Sequence, residues 1–216
     1  MQLLVDIWQF FLANQADFWE KVLAHLALSG VALLIGVVVA IPIGISTAHH
    51  RLAAGVVSNG VGALRAIPSL AIMAVMLPII GIGFWPALIA LTILAIPPIL
   101  INTQAGILSI DPAIREAALG MGMDRWAIVR GVELPLAAPV IVAGVRTATV
   151  EVLASATLGA IIGAGGLGEY VFAGLSLGPA YLYIMLVGAI TVAVLALVAE
   201  YTLNRLESAS RRHKNQ

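Results

Sequence analysis

A chain of 216 residues that is 61% hydrophobic and 10% charged, with mean hydropathy +1.05, cannot be a water-soluble globule. Its eleven basic residues balance its eleven acidic ones, and the absence of cysteine excludes disulfides and thiolate metal sites. These numbers predict an all-α polytopic membrane protein, a single transmembrane domain over residues 1–216 with the lipid bilayer as its first partner and no nucleic acid among the others.

In chain order, the first 20 residues mix Trp8, Phe11, Phe18 and Trp19 with Asp6, Asp17 and Glu20, a composition suited to a helix lying on the outer membrane surface. A cleavable signal peptide is not expected, because the first basic residue is Lys21 and Asp6 interrupts the early apolar stretch. Residues 22–48 carry no Asp, Glu, Lys or Arg and form the first predicted span. Residues 66–110 are uncharged over 45 positions and serve two further spans, 56–80 and 86–108, separated by the turn-like Gly81-Ile82-Gly83-Phe84-Trp85-Pro86. A fourth span, 135–161, contains Arg146 and Glu151, so those side chains must face protein, water or an interface. The fifth is 180–204.

The positive charges orient the five helices, since cytoplasmic loops retain Lys and Arg. With the amino terminus outside and the carboxyl terminus inside, Arg51, Arg115, Arg125, Arg130, Arg205, Arg211, Arg212 and Lys214 fall inside and only Lys21 outside. Trp8, Trp19, Trp85, Tyr170, Tyr181 and Tyr183 then gather at the outer boundary, where aromatic rings settle.

Prolines 42, 68, 78, 97 and 98 interrupt spans one to three and leave carbonyls without donors, so kinks are expected. Pro97-Pro98 is the best pointer to a broken helix lining a substrate site near the midplane; bending for packing alone is the equal alternative. Arg65, near the inner end of span two, either snorkels to the interface or lines a gate. His49 and His50 adjoin Arg51 in a short inner loop, where solvated or lipid-facing rings are expected in place of a metal site. No histidine is placed at membrane depth, which leaves an intramembrane hydrolase without its base or metal.

The loop 109–134 is a charged island between apolar runs. Asp111 before Pro112 is a good helix start, and residues 112–120 are rich in helix formers and end at Gly120 and Gly122. A second short helix, roughly 125–130, leads to Pro135 and span four. Two short helices joined at glycines make a compact knob: small Ala117 and Ala118 would let another protein approach closely, and Glu116 and the arginines would pair across that contact.

In span four, Thr147, Glu151 and Ser155 recur every four residues and share a helix face, which lines either a pathway or a subunit seam, or makes structural hydrogen bonds. Arg146 lies about 140° round the helix from Glu151, so both look elsewhere for partners. Gly144, Ala148, Ser155 and Gly159 supply small-residue spacing for close packing. Residues 163–168, Gly-Ala-Gly-Gly-Leu-Gly, match G-x-G-x-x-G but follow a span instead of a strand, so they are read as an outer glycine-rich turn.

Taken together, Glu116-Ala117-Ala118, Gly122 and Leu134-Pro135 fall at the spacing E-A-A-x₃-G-x₉-[apolar]-x-L-P. That loop resembles the cytoplasmic loop by which permease subunits of ABC importers grip their ATPase. With Arg65-Ala66-Ile67-Pro68-Ser69-Leu70-Ala71, Arg146-Thr147-Ala148, residues 151–158 and residues 162–168, most of the chain resembles a type I ABC importer permease, nearest the osmoprotectant branch for glycine betaine, choline or carnitine. Val132 stands where isoleucine is usual. The resemblance implies the five-helix fold of that family, a prokaryotic inner membrane, and ATPase coupling through Arg115, Glu116, Ala117, Ala118, Gly120, Gly122 and Arg125. It also implies an ABC ATPase, a solute-binding protein outside and a second permease subunit as partners, because five helices supply half of the usual pathway. No Walker A sequence surrounds Lys21 or Lys214, so the chain is expected to have no cofactor and no ATPase site of its own.

Substrate identity rests on the resemblance alone, since the span interiors contain almost no aromatic side chains for a cation–π cage. An amino-acid permease, such as one for methionine, is the nearest alternative. An ATP-independent secondary transporter would need more helices for its own pathway.

Overall fold

The computed structural model describes residues 2–213, so Lys214, used above for orientation, lies outside the described residues. Ten α-helices follow one another: α1 (Gln2–Ala13), α2 (Gln15–Ala48), α3 (Arg51–Leu64), α4 (Ser69–Ile80), α5 (Phe84–Leu108), α6 (Pro112–Gly120), α7 (Arg125–Ile128), α8 (Leu134–Ala156), α9 (Gly168–Leu177) and α10 (Leu182–His213). No strand occurs among the described residues. Four continuous helical stretches are long and apolar enough to cross a bilayer: Gln15–Ala48, Phe84–Leu108, Arg125–Ile162 and Pro179–Ser208.

The span predicted at 56–80 is not one straight helix. Residues Ala54–Leu64 and Ser69–Ile80 meet at 82°, and only together do they reach the length of a span. Pro68 is the cause: it lacks a donor, forces extended backbone on its approach, and sits at φ −59° and ψ 131°. The chain before it tightens into a turn, with Ala66 and Ile67 N–H donating to the carbonyls of Ala63 and Leu64 at 3.1 Å each. Gly81 and Gly83, at φ 92° and 108°, then reverse the chain into α5.

The third long stretch is built from pieces. α7 runs into a π-helical segment, Val129–Glu133, before α8, and a 3₁₀ turn, Thr157–Ile162, extends its outer end. Pro135 explains the π register: its nitrogen cannot serve the Gly131 carbonyl, and the Leu134 N–H donates five residues back to Val129. The helix predicted at 125–130 is therefore the first turn of the span and not a separate piece of the loop.

Helices α2, α5 and α8 form the centre, with Leu28, Ala32, Leu91, Ile99, Ala148 and Val152 buried between them. Small residues let the backbones close. A methyl group added at Gly36 would lie 2.8 Å from Ala95 Cβ, and one at Gly44 would lie 2.8 Å from Thr103 Cβ. At the end of the bundle away from α6, α1 has no fully buried residue and packs Phe10 edge-on against Tyr170 and Tyr183. Lys21 bridges Asp17 at 3.2 Å and Glu169 at 2.5 Å, tying α2 to α9. Tyr170 donates to Asp17, and burial together with that carboxylate holds its hydroxyl well above the ordinary tyrosine range.

Gly144 tests this packing most sharply, because a Cβ there would approach Asn102 Cβ to 2.6 Å and the Pro98 carbonyl oxygen to 2.8 Å. Gly144→Ala should cost about 1–3 kcal/mol by overpacking, whereas Gly30→Ala, with no atom within 4 Å of the new methyl, should leave stability unchanged or raised. Thermal unfolding in detergent compares the two; equal midpoints would contradict the α5–α8 seam described here.

Candidate functional site

The charged loop begins as its sequence dictates. The Asp111 carboxylate accepts the Ala113 N–H at 2.9 Å, Pro112 occupies the first turn, and α6 ends at Gly120. Gly122 then takes φ 81°, a conformation that a side chain would strain, and the Met123 N–H reaches back to the Ala118 carbonyl at 3.2 Å. Asp124 caps α7, accepting the Ala127 N–H at 2.7 Å. Glu116, Ala117 and Gly120 are exposed, as are the large apolar Leu119 and Met121, at 60% and 75%. These side chains give the tip an uncovered apolar face.

Two residues expected at that surface turn inward, and a third, Arg125, is exposed beside a groove. Ala118 is buried, closing α6 onto the body of the protein. The Arg115 guanidinium turns inward, its Nε donating to Glu133 Oε1 at 2.7 Å and its Nη2 to the Ile107 carbonyl at 2.5 Å. Arg125 lines a groove between α7 and the inner end of α2.

Glu133 is the residue that sequence reasoning missed. Its carboxylate is 1% exposed and receives Arg115 from α6 and His49 from the end of α2, whose Nε2 lies 3.0 and 3.1 Å from the two oxygens. One buried charge thus fastens the knob, the first span and the root of α8 together. The signal was present: a glutamate directly before Leu134-Pro135, where a helix enters the membrane, has no water on the α8 side. His49, expected to be solvated or lipid-facing, is one of its partners. A second polar knot nearby joins α2, α3 and α5, as Gln104 donates to Thr47 Oγ1 at 2.6 Å and Ser58 donates to Gln104.

Within the membrane, the structure joins two residues that sequence reasoning treated separately. Arg65, at the bend between α3 and α4, donates to Glu151 Oε1 at 2.7 Å, with both side chains partly exposed. Thr147 is exposed and Ser155 half-buried on the same face of α8, so an uncovered polar stripe runs along this helix. Arg146 faces α10 instead, 3.5 Å from Glu207 and 3.3 Å from Asn204. Pro97 and Pro98 do not open α5 to a pathway: both are buried in an unbroken helix, and the Pro98 carbonyl accepts Asn102 Nδ2 at 2.8 Å.

A histidine does sit in a span. His25 of α2 is fully buried, its Nε2 lies 3.0 Å from the Leu153 carbonyl of α8, and Gly166 packs on its ring. The run after Lys21 was uncharged enough to hide it. The glycine-rich turn 163–168 packs closely at its far end, where a methyl group at Gly168 would lie 2.0 Å from the Thr157 carbonyl oxygen, while Gly163 has no neighbour within 4 Å.

Residues 40–212 match the family described as binding-protein-dependent transport system inner membrane component. Among curated proteins, the chain is 40% identical to the glycine betaine/carnitine/choline transport system permease protein OpuCB of Bacillus subtilis, over 90% of this chain and 88% of that one. It is 43% identical to the carnitine transport permease protein OpuCB of Listeria monocytogenes, over 92% and 90%. Among solved structures, an inward-facing conformation of the MetNI methionine ABC transporter superposes with TM-score 0.79 at 24% identity, covering 92% of this chain and 98% of that one. At that identity the likeness concerns the fold.

The Arg65–Glu151 pair gives a direct test of the polar stripe. Glu151→Gln should leave the amount of protein in the membrane unchanged and lower solute uptake about ten-fold, because a charge-assisted bond across a bend is lost. Uptake equal to wild type would remove Glu151 and Arg65 from the transport cycle.

Proposed function

The chain belongs to the family of binding-protein-dependent transport system inner membrane components, and we propose that it carries betaine-like osmoprotectants inward, its spans moved by a separate ATPase. It is a transmembrane permease subunit of an ABC importer. Relatives at 40–43% identity over nine-tenths of the chain are named for glycine betaine, carnitine and choline, which supports that solute class. Methionine is supported less, because its transporter shares the fold at 24% identity.

One observation carries the mechanism: an exposed apolar and acidic knob whose root is locked by a buried charge to two membrane helices. Glu116, Ala117, Gly120 and Gly122 meet the ATPase on the cytoplasmic side, with the amino terminus outside. Arg115 acts one step behind them by holding α6 to Glu133. When ATP closes the ATPase pair, the knob is displaced, and Glu133 passes that displacement to α2 and α8. The Thr147–Glu151–Ser155 face then shifts against a second permease subunit, and the pathway alternates between outward-open and inward-open forms. A binding protein outside delivers the solute, and this chain itself hydrolyses no nucleotide.

Reconstituted complex supplied with its binding protein should take up glycine betaine, choline or carnitine only with ATP, and should not take up methionine. Leu119→Cys in this cysteine-free chain should be labelled from the cytoplasmic side alone, and Gly122→Trp should release the ATPase on purification. Labelling of Leu119→Cys from outside, or methionine uptake in place of the osmoprotectants, would contradict the reading.

A further inference from the structure

The groove that receives Arg125 has a volume of about 670 Å³, within the range of sites that hold small ligands. Its polar end carries His50, Arg125 and Arg130. Neither arginine side chain has a hydrogen-bond or ion-pair partner among the described residues. No acid among the described residues is paired with them: Asp111 and Asp124 accept N–H groups at the starts of α6 and α7, and Glu133 is taken by Arg115 and His49. Two exposed guanidiniums with no partner among the described residues thus lie side by side on one groove, a charge that an anion from outside the chain can meet.

The other end of the groove is apolar. Ile41 and Ile45 of α2 and Leu134 of α8 line it. The wall from Ile41 to the end of α2 climbs about 10 Å along the helix axis, into the hydrocarbon level of the first span. Trp126, 74% exposed on the rim, belongs to the residue type that settles where hydrocarbon meets headgroups. An acidic surface of a soluble ATPase could reach the arginines but could not fill a wall at that depth. A molecule with an anionic head and a hydrocarbon tail satisfies both ends.

We propose that the groove between the inner end of α2 and α7–α8 binds an anionic phospholipid of the inner leaflet, its phosphate on Arg125 and Arg130 and an acyl chain along Ile41, Ile45 and Leu134. His50 adds a donor beside the headgroup. The bound lipid would brace the face of α7 opposite the ATPase-contacting tip, next to the Glu133 lock. This site rests on the inner placement of the knob, which the Leu119→Cys labelling reads independently, so failure of that placement and failure of lipid binding are distinguishable.

The test uses the whole complex, permease with its ATPase, in nanodiscs holding equal phosphatidylglycerol and phosphatidylcholine with the same acyl chains. Lipid released with the complex into the mass spectrometer is then counted. Wild type should retain phosphatidylglycerol in preference, R125Q/R130Q should lose about ten-fold of that retention, and Ile45→Trp, which fills the apolar end without changing charge, should lower it as well. The site is overturned if wild type retains both lipids equally, or if either variant retains phosphatidylglycerol like wild type. Loss of the ATPase from R125Q/R130Q with lipid retention intact would assign the arginines to that partner and likewise refute the site.

Discussion

A carboxylate withdrawn from water must be met by cations or it will not remain charged, and at the inner end of this bundle the whole arrangement turns on that requirement. Glu133 has almost no exposed surface, and its oxygens are shared between Arg115 of the knob and His49 at the end of α2. Removing Arg115 would leave charge uncompensated, and removing His49 would leave an oxygen without its neighbour, at a site with little access to water, so the three elements cannot separate cheaply. A knob attached only by its two connecting turns would swing freely when pushed. Tied through Glu133, it is fixed to the first span and to the root of α8.

The membrane part is built to receive such a push as a body. Glycine and alanine at the α2–α5 and α5–α8 seams bring backbones close enough that several added methyl groups would come within 3 Å of their neighbours. Against this compact centre, the α3–α4 pair is the looser member, bent by 82° at Pro68 and held to α8 by the half-exposed Arg65–Glu151 pair. Rigid α2, α5 and α8 with a hinged neighbour is the division of labour that alternating access needs.

Much of this was legible in the sequence, for identifiable reasons. Bilayer thickness fixes the length of uncharged runs, so the apolar stretches announced themselves. Asp111-Pro112 and Gly120–Gly122 fixed α6 through local capping and backbone freedom, which need no knowledge of the rest of the fold. Contacts between distant residues were not legible: Arg65 with Glu151 and Glu133 with His49 depend on how helices lie side by side, and periodicity within one helix does not encode that. Pro97-Pro98 misled for a related reason, since whether a proline pair breaks a helix depends on what packs around it, and both lie buried in an unbroken α5. Ala118 and Arg115 were assigned to the outward face because their loop is polar, although a helix on a surface always turns one side inward.

The central claim, that Glu133 carries ATPase motion into the membrane, is tested most directly by the number of solute molecules moved per ATP hydrolysed by the reconstituted Glu133→Gln complex. The account predicts that hydrolysis continues while this ratio falls about ten-fold, because the knob remains docked and its tie to α2 and α8 is weakened. A ratio equal to that of wild type would contradict it.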